Sequence, residues 1–158
     1  MKAIQALVPG FTAALERTPG TLATYRDLCE AMEQSLLPIR CRMQIALVVA
    51  QRLRCHYAAW VHSVLASEQG LNGEDVLLAG AGSARDPHEA AILKVASRMI
   101  AGDELLDPSE LIPVATRGIG ETVVAQVAAQ VAYALMTCYV LQSVAPTANA
   151  PAPAKRAP

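Results

Sequence analysis

The stretch "CHYAAWVH" contains the residue types best suited to chemistry in this chain. Cys55 opens it and His62 closes it, and a separation of seven residues is almost two turns of an α-helix. On a helix these two side chains share one face with Ala59, whereas Tyr57 and Trp60 share another. A thiolate is a nucleophile and an imidazole moves protons, so this face predicts a thiol active site or a well-packed core helix.

The neighbours of Cys55 favour its thiolate form. Arg52, Arg54 and His56 surround it with positive charge, and it lies near a predicted helix start, where backbone amides stabilise an anion. A small apolar side chain at a helix junction would also fit this position. The sequence leaves both interpretations open.

Three further cysteines bear on any thiol chemistry. Cys29, Cys41 and Cys138 are not spaced as a CxxC pair with each other or with Cys55, and the sequence leaves open which of them reaches it. The pattern contains no zinc motif, and the three histidines are dispersed, so we predict no metal and no cofactor. Reduced thiols in a cytoplasmic protein are the default expectation.

The composition indicates one helical domain. The chain has 158 residues, 53% hydrophobic and only 4% aromatic, and its net charge of −1 argues against a nucleic-acid partner. The N-terminus lacks the long apolar segment of a secretory signal. Residues 122–144 carry no charge and are long enough to span a bilayer, but three glutamines and two threonines interrupt them. We therefore predict a buried helix near a subunit interface and no membrane span.

Helical periodicity dominates the chain. Pro38 predicts the start of a helix over 37–53, and a second helix follows over 55–69 with Gly70 at its C-terminal end. Further helices are predicted from Thr21, in "LNGEDVLLAG", from Asp86 to Gly102, in "LDPSELIPVATRG" and from about Gly120. The fold class is all-α, with seven or eight helices in a domain over 1–145 and a disordered Pro- and Ala-rich tail over 146–158.

The order of these elements resembles a known superfamily. An "LP-x-x-x-R" helix start leads into Cys55, a helix with His62 follows, then a "GL" turn, a "DP-x-x-A-A" helix start and a long helix rich in alanine and valine. Over roughly residues 20–144 this is similar to the carboxymuconolactone decarboxylase and alkylhydroperoxidase D-like superfamily. The resemblance implies an alkylhydroperoxidase D-like helical bundle.

The resemblance also implies site residues. In the peroxidase-like branch, Cys55 falls on the first cysteine of a Cys-x-x-Cys pair and His62 on the histidine, while Ala58 stands at the second cysteine and Met43 at a glutamate. In the decarboxylase-like branch Tyr57 matches, Ala58 replaces a glutamate, and the tryptophan lies one position late. Each branch's site is therefore incomplete here.

These matches imply Cys55 and His62 as catalytic residues. They imply a substrate pocket formed by Tyr57, Ala58, Ala59, Met43 and Arg42. Arg40 and Arg42 start their helix and form either an anchor for a substrate carboxylate or a solvated basic face.

The first functional hypothesis is a thiol-dependent oxidoreductase acting on a small-molecule substrate, with an external thiol as reductant. A lyase or isomerase acting on a small carboxylated lactone, with the histidine as acid and base, is the second. A non-catalytic oligomeric binding protein is the third. The uncharged last helix and the resemblance predict a homo-oligomer built from dimers or trimers.

Overall fold

A computed structural model describes residues 4, 7–8, 10–17, 19–102 and 120–144 of the chain. The described residues form seven helices and no strand, which confirms the all-α prediction. The helices are α1 (Gly10–Glu16), α2 (Pro19–Glu33), α3 (Ile39–Arg52), α4 (His56–Glu68), α5 (Gly73–Gly80), α6 (Pro87–Ala101) and α7 (Glu121–Val144). The helix predicted in "LDPSELIPVATRG", the domain boundary at 145 and the tail over 146–158 lie outside the described residues.

Helix ends follow the capping signals of the sequence. Asp86 accepts hydrogen bonds from the backbone amides of His88 and Glu89 at 2.8 and 2.9 Å, and Pro87 opens α6. Gly102 closes α6 in the left-handed conformation, with φ of 71°. The helices predicted over 37–53 and 55–69 are α3 and α4, each within two residues at both ends.

Helix α3 is the central element of the fold. It packs against α4, α5, α6 and α7, and every residue from position 45 to position 50 is buried. Six consecutive buried positions mean that the helix is enclosed on all sides, because one face alone would bury only every third or fourth residue. Residues of α3 therefore contact several parts of the domain.

Helix α7 is uncharged after Glu121 and packs against α1, α2, α3, α4 and α6. Among the described helices it alone has the length and apolar composition to cross a membrane. Its buried positions include Gln130 and Thr137, and Tyr139 is 60% exposed. The predicted self-association stays a prediction.

A tight turn joins α3 to α4 and places Cys55. The amide of Cys55 donates to the carbonyl of Ala50 at 2.9 Å, and the amide of Arg54 donates to that of Gln51 at 3.0 Å. These two bonds are the pair that closes a helix in the Schellman motif, whose left-handed residue is usually glycine. Here Arg54 takes that conformation, with φ of 51°. Cys55 is thus held by the end of α3 at the point where α4 begins.

Candidate functional site

Cys55 is the N-cap residue of α4, and its side chain points toward α7. The thiol is buried, with 3% of the residue exposed, and its Sγ lies 3.8 Å from the backbone carbonyl oxygen of Cys138. Cys138 is itself fully buried in α7. Two cysteines that are 83 positions apart in sequence therefore meet across the contact between α4 and α7.

The surroundings of Cys55 hold the pKa of its thiol well below the ordinary value. The largest cause is a hydrogen bond from the Cys138 thiol, and the Gln142 side chain and the first-turn amides of Ala58 and Tyr57 also lower this pKa, against the effect of burial. Cys55 makes no capping hydrogen bond of ordinary geometry, so the amides act as nearby dipoles. The environment stabilises a thiolate at Cys55.

The pKa of the Cys138 thiol is shifted in the opposite direction to that of Cys55. Its pKa is raised, first by the hydrogen bond with Cys55 and then by burial. The helix position explains the asymmetry, since the amides of the first turn of α4 are free of intrahelical bonds, whereas those around Cys138 lie in the middle of α7. The opposite directions of the two pKa shifts favour the proton of the pair on Cys138, against the effect of the Cys138 carbonyl oxygen, which lies 3.8 Å from the Cys55 sulfur and accepts from its protonated form.

The basic neighbours of Cys55 are not the main source of this shift. Arg52, Arg54 and His56 are all exposed, and hydrogen bonds dominate the lowering of the Cys55 pKa. The predicted effect of the helix start on the Cys55 pKa is present, because Cys55 occupies the N-cap position of α4 beside the first-turn amides. The sequence predicted the helix start and left open whether Cys29, Cys41 or Cys138 reaches Cys55, because a distance of 83 positions gives no sign of contact.

Cys41 and Cys29 lie in other environments. Burial and the nearby carboxylates of Glu89 and Asp86 raise the pKa of Cys41 to about 11. The thiol of Cys29 lies 3.8 Å from the hydroxyl of Tyr133. All four cysteines are buried and free.

His62 lies in α4 two turns beyond Cys55 and is 2% exposed. Within the described part of the chain, neither ring nitrogen has a hydrogen-bond partner, so no hydrogen bond joins His62 to Cys55. Burial lowers the pKa of this imidazole to about 4, so the ring is neutral at pH 7. The catalytic role predicted for His62 stays a prediction.

His62 borders a cavity of about 200 Å³. The lining residues are Ile4, Cys29, Met32, Glu33, Ile39, Arg42, Met43, Ala46, His62, Leu65, Gln130 and Tyr133. Of the five predicted pocket residues, Met43 and Arg42 therefore join His62 at one cavity. Cys55, Tyr57, Ala58 and Ala59 are not among the residues that line this cavity. The ring of Tyr57 stacks on that of Trp60, with 5.8 Å between centroids, as their shared helix face predicts.

Arg40, the other candidate carboxylate anchor, is occupied by an ion-pair network. It contacts Asp75 at 3.2 Å and Glu89 at 2.9 Å, which ties α3 to α5 and α6. Gln44 adds a 2.7 Å hydrogen bond to Glu89, and Arg85 a 3.1 Å contact to Asp75. Arg40 is thus a structural residue here, and Arg42 is the arginine that lines the cavity.

Several polar residues beside the cavity were missed by sequence reasoning. The hydroxyl of Tyr25 lies 2.9 Å from that of Thr137 and 3.2 Å from that of Tyr133, and Gln130 lines the cavity one turn earlier in α7. The sequence does contain a signal for them, because Gln130, Tyr133 and Thr137 are polar residues spaced by three and four positions in an otherwise apolar helix, and such residues share one helix face. No group of three or more His, Cys, Asp or Glu side chains within the described residues is placed to hold a metal ion.

The described residues form an all-helical domain with a buried thiol pair at the N-terminal end of α4 and a cavity lined by His62 near the middle of this helix. No protein-family model matches the chain, and no curated protein matches it. A crystal structure of an uncharacterized peroxidase-related protein from Silicibacter sp. TM1040 is similar, with a TM-score of 0.74 and 15% sequence identity over 91% of this chain and 80% of that one. This likeness concerns the fold, and it fits the alkylhydroperoxidase D-like helical architecture that the sequence resembles.

Proposed function

We propose that this protein is a thiol-dependent oxidoreductase that reduces small hydroperoxides, with Cys55 as the attacking thiol and Cys138 as the resolving thiol. The contact between Cys55 and Cys138 is the observation that carries this proposal. A two-cysteine cycle needs one thiol held as a thiolate to attack the peroxide and a second thiol beside it, which stays protonated until the first has become a sulfenic acid and then gives up its proton as it attacks. The opposite pKa shifts of these two residues match that division.

The Cys55 thiolate attacks the terminal oxygen of the hydroperoxide, the O–O bond breaks, and Cys55 becomes a sulfenic acid. The departing alkoxide or hydroxide takes a proton from solvent and leaves as an alcohol or water. The Cys138 sulfur then attacks the Cys55 sulfur, which forms a disulfide and releases water. An external dithiol reduces this disulfide and is itself oxidised. Cys138 thus acts as the resolving cysteine, in place of the second cysteine of the Cys-x-x-Cys pair, whose position is held here by Ala58.

Burial of the thiol pair limits its substrates. With 3% of Cys55 and 0% of Cys138 exposed, a bulky alkylating reagent is excluded unless the end of α4 opens. Hydrogen peroxide and short alkyl hydroperoxides are small enough to enter through brief local opening. We therefore expect peroxides to oxidise Cys55 faster than iodoacetamide alkylates it.

Peptide mapping by mass spectrometry tests the proposal directly. Reduced protein is treated with stoichiometric hydrogen peroxide, blocked and digested without reductant. We expect a peptide pair linked through Cys55 and Cys138, and in Cys138→Ser a sulfenic acid at Cys55 that dimedone traps. Cys41→Ser, another buried cysteine, is the matched control and should still form the linked pair. Oxidation spread evenly over the four cysteines, or none at Cys55, would contradict the proposal.

A further inference from the structure

We propose that Gln142 is a positioning residue for the thiol pair, whose side-chain amide donates a hydrogen bond to the Cys55 sulfur and covers that sulfur from solvent. This inference rests on the proposed function, because it assigns a further residue to the same site. Gln142 lies in the last turn of α7, four residues after Cys138. The proposed reaction uses the two thiols and so far gives Gln142 no part.

Helix geometry places Gln142 against Cys55. Residues four positions apart in a helix lie one above the other on the same face, so the side chains of Cys138 and Gln142 point the same way. In an α-helix the backbone amide of residue 142 donates to the carbonyl of residue 138. That carbonyl oxygen lies 3.8 Å from the Cys55 sulfur. The sulfur therefore lies on the turn of α7 between positions 138 and 142.

The Gln142 side chain forms a hydrogen bond with the Cys55 sulfur, and this bond lowers the pKa of the thiol. A thiolate only accepts hydrogen bonds, so the side-chain amide nitrogen of Gln142 is the donor. The other donors to this sulfur are the Cys138 thiol and backbone amides in the first turn of α4. The backbone amides are fixed by α4, whereas the Gln142 side chain turns about its own torsions. Its contact with the sulfur can therefore open while both helices stay in place.

Exposure distinguishes Gln142 from the other residues that donate to the sulfur. Cys55, Cys138, Tyr57 and Ala58 are all buried, whereas Gln142 is exposed. Among the groups that hydrogen-bond to the Cys55 sulfur, Gln142 is therefore the one that reaches solvent. A peroxide approaching this side of the site meets its side chain first. Removal of that side chain should admit reagents that the closed site excludes.

Carbon-13 NMR of protein labelled at the cysteine Cβ atoms tests the hydrogen bond without any peroxide. In Gln142→Leu, which removes the donor at similar volume, the titration midpoint of Cys55 should rise by about one pH unit. In Gln142→Glu, which also adds a negative charge, it should rise further. Gln69→Leu and Gln69→Glu, at an exposed position at the other end of α4, should titrate as wild type. A Gln142 side chain that only supported the fold would leave the midpoint unchanged in both of its variants.

Alkylation tests the cover. Peptide mapping measures the rate at which iodoacetamide labels Cys55, at a pH above the titration midpoints of all the variants. Gln142→Ala should be labelled about tenfold faster than wild type, and Gln69→Ala at the wild-type rate. An unchanged titration in both Gln142→Leu and Gln142→Glu, or an unchanged labelling rate in Gln142→Ala, would overturn the proposal. Neither measurement uses a peroxide, so its failure is distinguishable from failure of the proposed function, which the map of peroxide-treated protein reports.

Discussion

The N-terminal end and the middle of α4 differ in whether their buried polar side chains have hydrogen-bond partners. At the N-terminal end, the Cys55 sulfur lies beside the first-turn amides and the Cys138 thiol, which together stabilise its charge. Two turns later, His62 is equally buried, yet neither of its nitrogens has a partner among the described residues. The N-terminal end of α4 therefore supplies partners for its buried thiol, whereas the middle of the helix leaves its buried imidazole unpaired among the described residues.

This difference shows that a shared helix face does not by itself make a shared site. Cys55 and His62 both face α7, where Cys138 and Gln130 lie close to them, but seven residues of helix separate them by about 10 Å along the axis. Within the described part of the chain no hydrogen bond joins them, so each of these two regions must act on its own.

The largest expected effect is at the thiol end. Cys55→Ser should reduce peroxide consumption, measured with an added dithiol, to the rate of the buffer, because a hydroxyl is not a thiolate at neutral pH. Cys41→Ser should retain the wild-type rate. Equal rates in wild type and Cys55→Ser would favour the lyase or the non-catalytic binding protein over the oxidoreductase.

The second prediction concerns the stability of the oxidised protein. A disulfide between Cys55 and Cys138 closes a loop of 83 residues, and restriction of the unfolded chain should stabilise the domain by about 4 kcal/mol. Thermal denaturation of peroxide-treated and reduced protein measures this difference. In Cys138→Ser the two treatments should give the same melting temperature. A lower melting temperature for the oxidised wild type would show that the bond strains the contact between α4 and α7.

The third prediction concerns acid stability at the histidine end. The pKa of His62 is about 4 in the fold against 6.5 in the unfolded chain, so below pH 6.5 the unfolded state binds the extra proton. Stability should fall as pH drops from 6.5 to 4, by about 3 kcal/mol in total. His62→Leu should lose most of this pH dependence in urea unfolding, and the exposed His56→Gln should keep it. An unchanged pH dependence in His62→Leu would show that another group is responsible.

The sequence predicted the helices better than it predicted the site. Local signals such as Asp86 before Pro87 and the apolar period around Cys55 predicted six of the seven described helices, with starts within about two residues, because capping and burial depend on nearby positions. Helix α1, over Gly10–Glu16, was not predicted. The contact of Cys55 with Cys138, and the cavity that His62 and Gln130 both line, depend on how α4 lies on α7. That packing joins residues far apart in sequence, so periodicity alone identified the faces without the partners.

The smallest expected effect tests the turn that precedes Cys55. Arg54 adopts a left-handed conformation that costs a residue with a Cβ roughly 1 kcal/mol and glycine almost nothing. Arg54→Gly should therefore raise the free energy of unfolding by about 0.5–1 kcal/mol, measured in urea. Arg52→Gly, two residues earlier in the last turn of α3, should lower it by a similar amount because glycine weakens a helix. Since hydrogen bonds dominate the lowered pKa of Cys55, the pH profile of peroxide consumption should be the same in Arg54→Gly and wild type. A profile shifted to higher pH would mean that the Arg54 charge, and not the helix start and Cys138, holds Cys55 as a thiolate.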